Sequence, residues 1–147
     1  VVLAAAAIVV IDQWIKALVA RHLPVAASVP LLPGLSLTHV HNRGVAFGLF
    51  AGVPPYVTIA VALTLLATLF YNRGRWHSER AVGAGIALIA GGATGNMIDR
   101  VRLGYVVDYL DLHVWPVFNL ADAAIVIGAA ILVFVLSRGG RPGEARR

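Results

Sequence analysis

Four apolar stretches, residues 1–20, 56–71, 81–98 and 120–137, dominate a chain of 147 residues. Each comes close to the roughly 20 residues that span the hydrocarbon core of a bilayer. Hydrophobic residues make up 59% of the chain and charged residues only 13%, too little charge to cover the surface of a soluble domain. A membrane barrel would need shorter segments alternating with period two, and these stretches do not alternate. The expectation is one integral membrane domain over residues 1–147, all-α in class, with four transmembrane helices joined by outer segments 21–55 and 99–119.

The chain has no cysteine, which removes disulfides, thiol catalysis and thiolate-bound metal. Its net charge of +5 sits in short flanks of apolar helices, where basic residues set topology rather than bind nucleic acid. Arg73, Arg75 and Arg80, with Arg138, Arg141, Arg146 and Arg147, fall on one side of the membrane. Arg21, Arg43, Arg100 and Arg102 fall on the other. The positive-inside rule then puts both termini in the cytoplasm and segments 21–55 and 99–119 outside. A cleaved signal peptide fits the first stretch less well, because that stretch is long and carries Asp12 and Lys16.

The first outer segment is too long for a simple helix-to-helix turn. Residues 35–41 alternate apolar and polar side chains between Pro33-Gly34 and Asn42-Arg43-Gly44, which predicts a strand. Residues 45–50 are the expected partner, and the pair would form a small sheet at the membrane surface.

Three of the seven acidic residues, Asp99, Asp108 and Asp122, gather where one helix leaves the membrane and another enters. Carboxylates beside lipid are costly, so such a gathering points to a functional site. Asn96, Asp99 and Arg100 place an amide, a carboxylate and a guanidinium within one helical turn. Asn119 and Asp122 have the spacing of an N-cap and the third helical residue, where the helix dipole favours an anion. Two converging carboxylates share a proton, so one can act as general base on water and the other as general acid. Spacing alone leaves that reading beside others. Asp12 precedes Lys16 by four residues, the favourable order for an ion pair on one helix face. Pairing lowers the cost of both charges in a membrane helix; a structural anchor is the expectation, with a proton relay as the alternative.

The blocks Asp12-Gln13-Trp14-Ile15-Lys16, Asn42-Arg43-Gly44-Val45-Ala46-Phe47-Gly48, Gly95-Asn96-Met97-Ile98-Asp99-Arg100, Val106-Val107-Asp108 and Phe118-Asn119-Leu120-Ala121-Asp122 resemble, in order, the motifs of the bacterial lipoprotein signal peptidases (signal peptidase II). The resemblance covers nearly the whole chain. It implies a four-helix inner-membrane aspartyl endopeptidase with an extracytoplasmic β-cradle and a short periplasmic helical segment. Such enzymes remove the signal peptide of a prolipoprotein just before a diacylglyceryl-modified Cys. By motif position, Asp108 and Asp122 are the catalytic dyad. Asn42, Gly44, Asn96, Asp99, Arg100 and Asn119 fall on substrate-binding or supporting positions, with Arg100 and Asn42 suited to holding substrate carbonyls. Asp12 and Lys16 fall on structural positions. The implied partners are diacylglyceryl-modified prolipoproteins and membrane lipids, with inhibition by lipopeptide antibiotics such as globomycin, no cofactor, no metal and no nucleic acid. The one departure is a short amino terminus.

Other candidates carry less. His39 and His41 share a strand face without an evident third ligand, so a surface pair is expected rather than a metal site. His113 and Trp115 read as an interfacial anchor. Trp14, Phe47 and Phe50 read as lipid- or core-facing, and no serine has a nucleophile-elbow context. The alternative function is a small proton-coupled transporter, which would need a polar path through the apolar stretches.

Overall fold

The computed structural model describes residues 1–44 and 80–139. The crossing expected at 56–71 and the return strand expected at 45–50 lie outside those residues. The described elements are helix α1 (Val2–His22), strands β1 (Ser28–Leu32) and β2 (Leu35–Asn42), helix α2 (Arg80–Leu103), strand β3 (Val106–Asp111) and helix α3 (Leu120–Gly139). Among the described residues, α1 and α2 are long and apolar enough to cross a membrane, and α3 carries the apolar run Leu120–Val135. α1 exposes Val10, Ile11, Trp14 and Leu18, a surface suited to lipid hydrocarbon.

α2 runs between α1 and α3, and its small residues allow the close approach. A Cβ on Gly92 would collide with the carbonyl oxygen of Ala121 on α3, and one on Gly95 would lie 2.6 Å from Asp12 Oδ2 on α1. Closely approaching backbones raise dispersion contact where apolar burial from water is not the driving force. α2 extends five residues past the expected end at 98, so Asp99 and Arg100 ride on a continuing helix. Gly104 ends it at φ +78, with its N–H 3.1 Å from Arg100 O. This left-handed cap suits a residue without a side chain.

The three strands form one antiparallel sheet in the order β1-β2-β3. The chain is therefore not all-α. β2 matches the expected strand, and its hairpin to β1 turns through Gly34 at φ +80. β3 was not foreseen; it occupies the second outer segment, and no helix lies among described residues 23–44 or 104–119. The sheet packs on the C-terminal end of α1, where Val19 meets Val107 and Tyr109 in a core that Ile15, Leu37, Leu110 and Leu120 extend.

One irregularity sets the side-chain register. Leu37 pairs with Leu110 but Val40 pairs with Asp108, three steps on β2 against two on β3. The extra residue is a β-bulge, which reverses the faces beyond it. A regular ladder would put His41 on the face of Asp108. The bulge puts Asn42 there instead.

Gly92→Val is expected to lower the melting temperature in detergent, since overpacking costs about 1–3 kcal/mol. An unchanged melting temperature would contradict so close a contact between α2 and α3.

Candidate active site

The polar residues singled out in the sequence converge where α1 meets the C-terminal end of α2 and the first turn of α3. Asp108 comes from β3 and is 1% exposed. Its two oxygens are held by different amides: Asn119 Nδ2 donates to Oδ1 at 2.6 Å and Asn42 Nδ2 to Oδ2 at 2.8 Å. Asp122 stands in the first turn of α3, where Asn96 Nδ2 donates to its Oδ1 at 2.7 Å. Burial, and then the nearby Asp122 carboxylate, push the Asp108 carboxyl up to about 7 against the opposing pull of its two amide donors. Desolvation and a like charge both disfavour the ionised form.

Asn119 connects the two acids. Besides donating to Asp108, its Oδ1 accepts the Asp122 N–H at 2.9 Å, and its own N–H reaches Asp122 Oδ2 at 3.3 Å. This reciprocal pattern is a capping box, so the helix-start signal and the acid pair are one structure. The next two orphan donors of α3 are met from other elements. Tyr109 Oη accepts the Leu120 N–H at 3.1 Å, and Asp12 Oδ1 accepts the Ala121 N–H at 3.1 Å. Sequence reading missed both, since neither partner is close in the chain and no local pattern marks them.

Behind the acids lies a buried charge cluster. Lys16 Nζ is 2.8 Å from Asp12 Oδ2 and 2.9 Å from Asp99 Oδ2, and it donates to Asn96 Oδ1 at 2.9 Å. The Asp12–Lys16 pair thus forms as expected. Asp99 joins it instead of facing the acid pair, with further donors in Gln13 Nε2 at 2.7 Å and the Val107 N–H at 3.2 Å. Arg100 donates to Asn96 O at 3.2 Å and to Gly44 O at 3.1 Å, while the Gly44 N–H donates to Asn42 Oδ1 at 2.9 Å. Asn42 is therefore turned toward Asp108 and its own loop, whereas Arg100 ties the end of β2 to α2.

Beside Asp122 lies a groove of about 480 Å³ lined by Leu112, Trp115, Phe118, Ala123, Val126 and Ile127. Among the described residues that line it, Asp122 is the one that carries a charge. No metal-binding cluster is found among the described residues. His39 is not the expected surface residue: it is buried at 3% exposure with Nδ1 2.7 Å from Leu23 O. His41 instead stacks on Tyr105 at 3.8 Å. His113 Nε2 lies 2.9 Å from Ser36 Oγ, which locks it to the sheet.

Asp12→Asn is expected to lower the melting temperature in detergent, because both Asp12 oxygens accept, one from Lys16 and one from the Ala121 N–H, and an amide has a single acceptor oxygen. The mutant keeps an oxygen for the Ala121 N–H, so α3 should stay capped. A melting temperature equal to wild type would refute a structural role for the pair.

The family model of signal peptidase (SPase) II matches residues 4–138. The lipoprotein signal peptidase of Halothermothrix orenii is 41% identical over 138 residues, covering 93% of this chain and 94% of that protein. That of Moorella thermoacetica is 44% identical over 133 residues, covering 88% and 87%. A bacterial membrane enzyme solved by the in meso method at 2.3 Å resolution superposes with TM-score 0.86 at 27% identity, covering 99% of this chain and 93% of that one. A second, solved at 1.9 Å, gives TM-score 0.83 at 30% identity, covering 92% and 90%. With five motif blocks in order and this agreement over nearly its full length, the chain belongs to the signal peptidase II family.

Proposed function

We propose that this protein is a membrane aspartyl endopeptidase that removes signal peptides from prolipoproteins, with Asp108 and Asp122 as its dyad. The observation that carries the reading is the pair of carboxylates joined through Asn119, one of them with its carboxyl raised to about 7. Close carboxylates hold one proton between them near neutrality. The ionised member takes a proton from water as its oxygen attacks the scissile carbonyl carbon. The protonated member then gives its proton to the amide nitrogen as the C–N bond breaks, and the proton taken from water restores the pair. Asn42, Asn96 and Asn119 supply fixed donors that hold both carboxylates in place. Arg100, anchored on two backbone carbonyls, has further N–H groups to offer a substrate carbonyl.

The same reading places the site on the outer face of the bacterial inner membrane, at the hydrocarbon boundary, with four crossings and both termini cytoplasmic. The groove beside Asp122 suits an apolar substrate group. Two acyl chains on the Cys next to the scissile bond would hold that bond at the depth of the dyad, each buried methylene contributing about 0.8 kcal/mol. A lipopeptide such as globomycin would bind there by placing a polar group between the aspartates. Residues 2–11 of α1 and 123–136 of α3 are all apolar or glycine, so these stretches offer a transporter no proton path.

Asp108→Asn and Asp122→Asn are each expected to cut turnover of purified, folded enzyme by about 10²–10⁴-fold or more, the range for loss of a general acid or base. Normal turnover by either would end the dyad assignment. In the unmodified enzyme, kcat/KM should fall as pH rises through about 7, where Asp108 sheds its proton. A flat profile across that range would contradict it. Diacylglyceryl-modified precursor should be cleaved far faster than the same precursor without lipid at matched membrane concentration. Equal rates would refute the account of specificity while leaving the dyad standing.

A further inference from the structure

Lys16 makes one more contact than an ion pair needs. An ammonium has three N–H donors and accepts nothing. Two of the three meet Asp12 and Asp99, and the third goes to Asn96 Oδ1 at 2.9 Å. All four residues are buried, with Lys16 at 3% exposure and Asn96 at 6%. The oxygen and nitrogen ends of a carboxamide have nearly the same shape, so packing alone does not decide which faces Asp122. Lys16 decides it. Because the ammonium only donates, the atom facing it is the Asn96 oxygen, and Nδ2 is left pointing at Asp122 Oδ1, 2.7 Å away.

A second amide, its own direction fixed by the Asp122 N–H on Asn119 Oδ1, donates to the same oxygen. Asn96 Oδ1 also accepts from Asn119 Nδ2 at 3.1 Å, and that nitrogen donates to Asp108 Oδ1 at 2.6 Å. Both amides thus point their donors away from the ammonium and at the carboxylates. The other charged group nearby, Arg100, bonds the backbone oxygen of Asn96 and leaves its side-chain amide untouched.

We propose that Lys16 is a positioning residue of the peptidase, holding the Asn96 amide in the direction that gives Asp122 a donor. The proposal rests on the dyad reading. Without the Lys16 donor, Asn119 Nδ2 alone holds the Asn96 oxygen, and an amide that turns puts that oxygen on Asp122, where only a protonated carboxyl could meet it. The dyad would then need a higher pH to free its general base.

The test compares variants in an Asp12→Asn background, which keeps the Lys16–Asn96 bond. Adding Lys16→Met removes one ammonium where one carboxylate is already gone, so the buried group keeps its wild-type net charge. Asp99 retains Gln13 and the Val107 N–H as donors. Measured on diacylglyceryl-modified precursor and normalised to folded protein, Asp12→Asn alone should keep kcat within a few fold of wild type. Asp12→Asn/Lys16→Met should lose about 10- to 100-fold in kcat with little change in KM, the size of effect expected when a hydrogen bond to a charged group is lost. The acidic limb of its kcat/KM profile should move to higher pH. Asp12→Asn/Lys16→Gln, which restores an N–H donor without the charge, should recover most of the kcat. A Lys16→Met double variant with the kcat and pH profile of Asp12→Asn overturns the proposal. If that variant does not fold, the Gln variant decides: kcat near that of Asp12→Asn supports orientation by donation, and a folded but inactive enzyme overturns it. Asp122→Asn run in parallel separates the two readings, since activity there sinks the dyad whatever the Lys16 variants do.

Discussion

The buried Lys16 ammonium is the interaction on which the described part of this protein depends. It pairs with Asp12 on its own helix, joins α1 to α2 through Asp99, and through Asn96 reaches the first turn of α3. Burying three charges is expensive, and the cost is offset only if every donor and acceptor is used. Here the ammonium spends all three protons, and Asp99 takes two further donors from Gln13 and the Val107 backbone. Such a cluster tolerates one arrangement of helices, because any shift leaves a charge unpaired in a medium that cannot solvate it. A general base and a general acid need that rigidity, since both must stay within reach of one water.

The start of α3 is the second half of the arrangement. A helix begins with N–H groups that have no partner inside the helix. The N–H groups of Leu120, Ala121 and Asp122 are satisfied by Tyr109 of β3, Asp12 of α1 and Asn119 of its own cap. Sheet, first helix and last helix are thereby stitched at one point, beside the two carboxylates. Capping and chemistry share residues: Asn119 ends the coil, starts the helix and donates to Asp108.

Much of this was legible from residue order. The apolar stretches located the described helices to within a few residues, and the Asn119 to Asp122 spacing announced a cap. The alternation in 35–41 announced β2. The pairing of Asn42 with Asp108 was not legible, because it depends on one extra residue in β2 between Leu37 and Val40. A bulge is a property of two strands together, and β3 has no alternation that marks it as a strand. Asp99 was grouped with the other acids on proximity in sequence. Its side chain instead serves Lys16, and helical phase at the end of α2 is what turns it to that side. His39 looked like half of a surface pair, yet the turn after α1 folds over it and uses its ring to hold Leu23 O.

Sequence by itself determined the solvent this protein needs and the spans of its described helices, and it singled out the two acids of the proposed dyad. These follow from hydropathy, from capping chemistry and from motif blocks that read in one dimension. The tertiary structure alone decided which polar group faces which. Amide direction at Asn96, the face on which Asn42 emerges and the third proton of Lys16 are set by neighbours 66 and 80 residues away in the chain. Buried donors and acceptors must be matched in three dimensions, and no local pattern of residue types carries that matching.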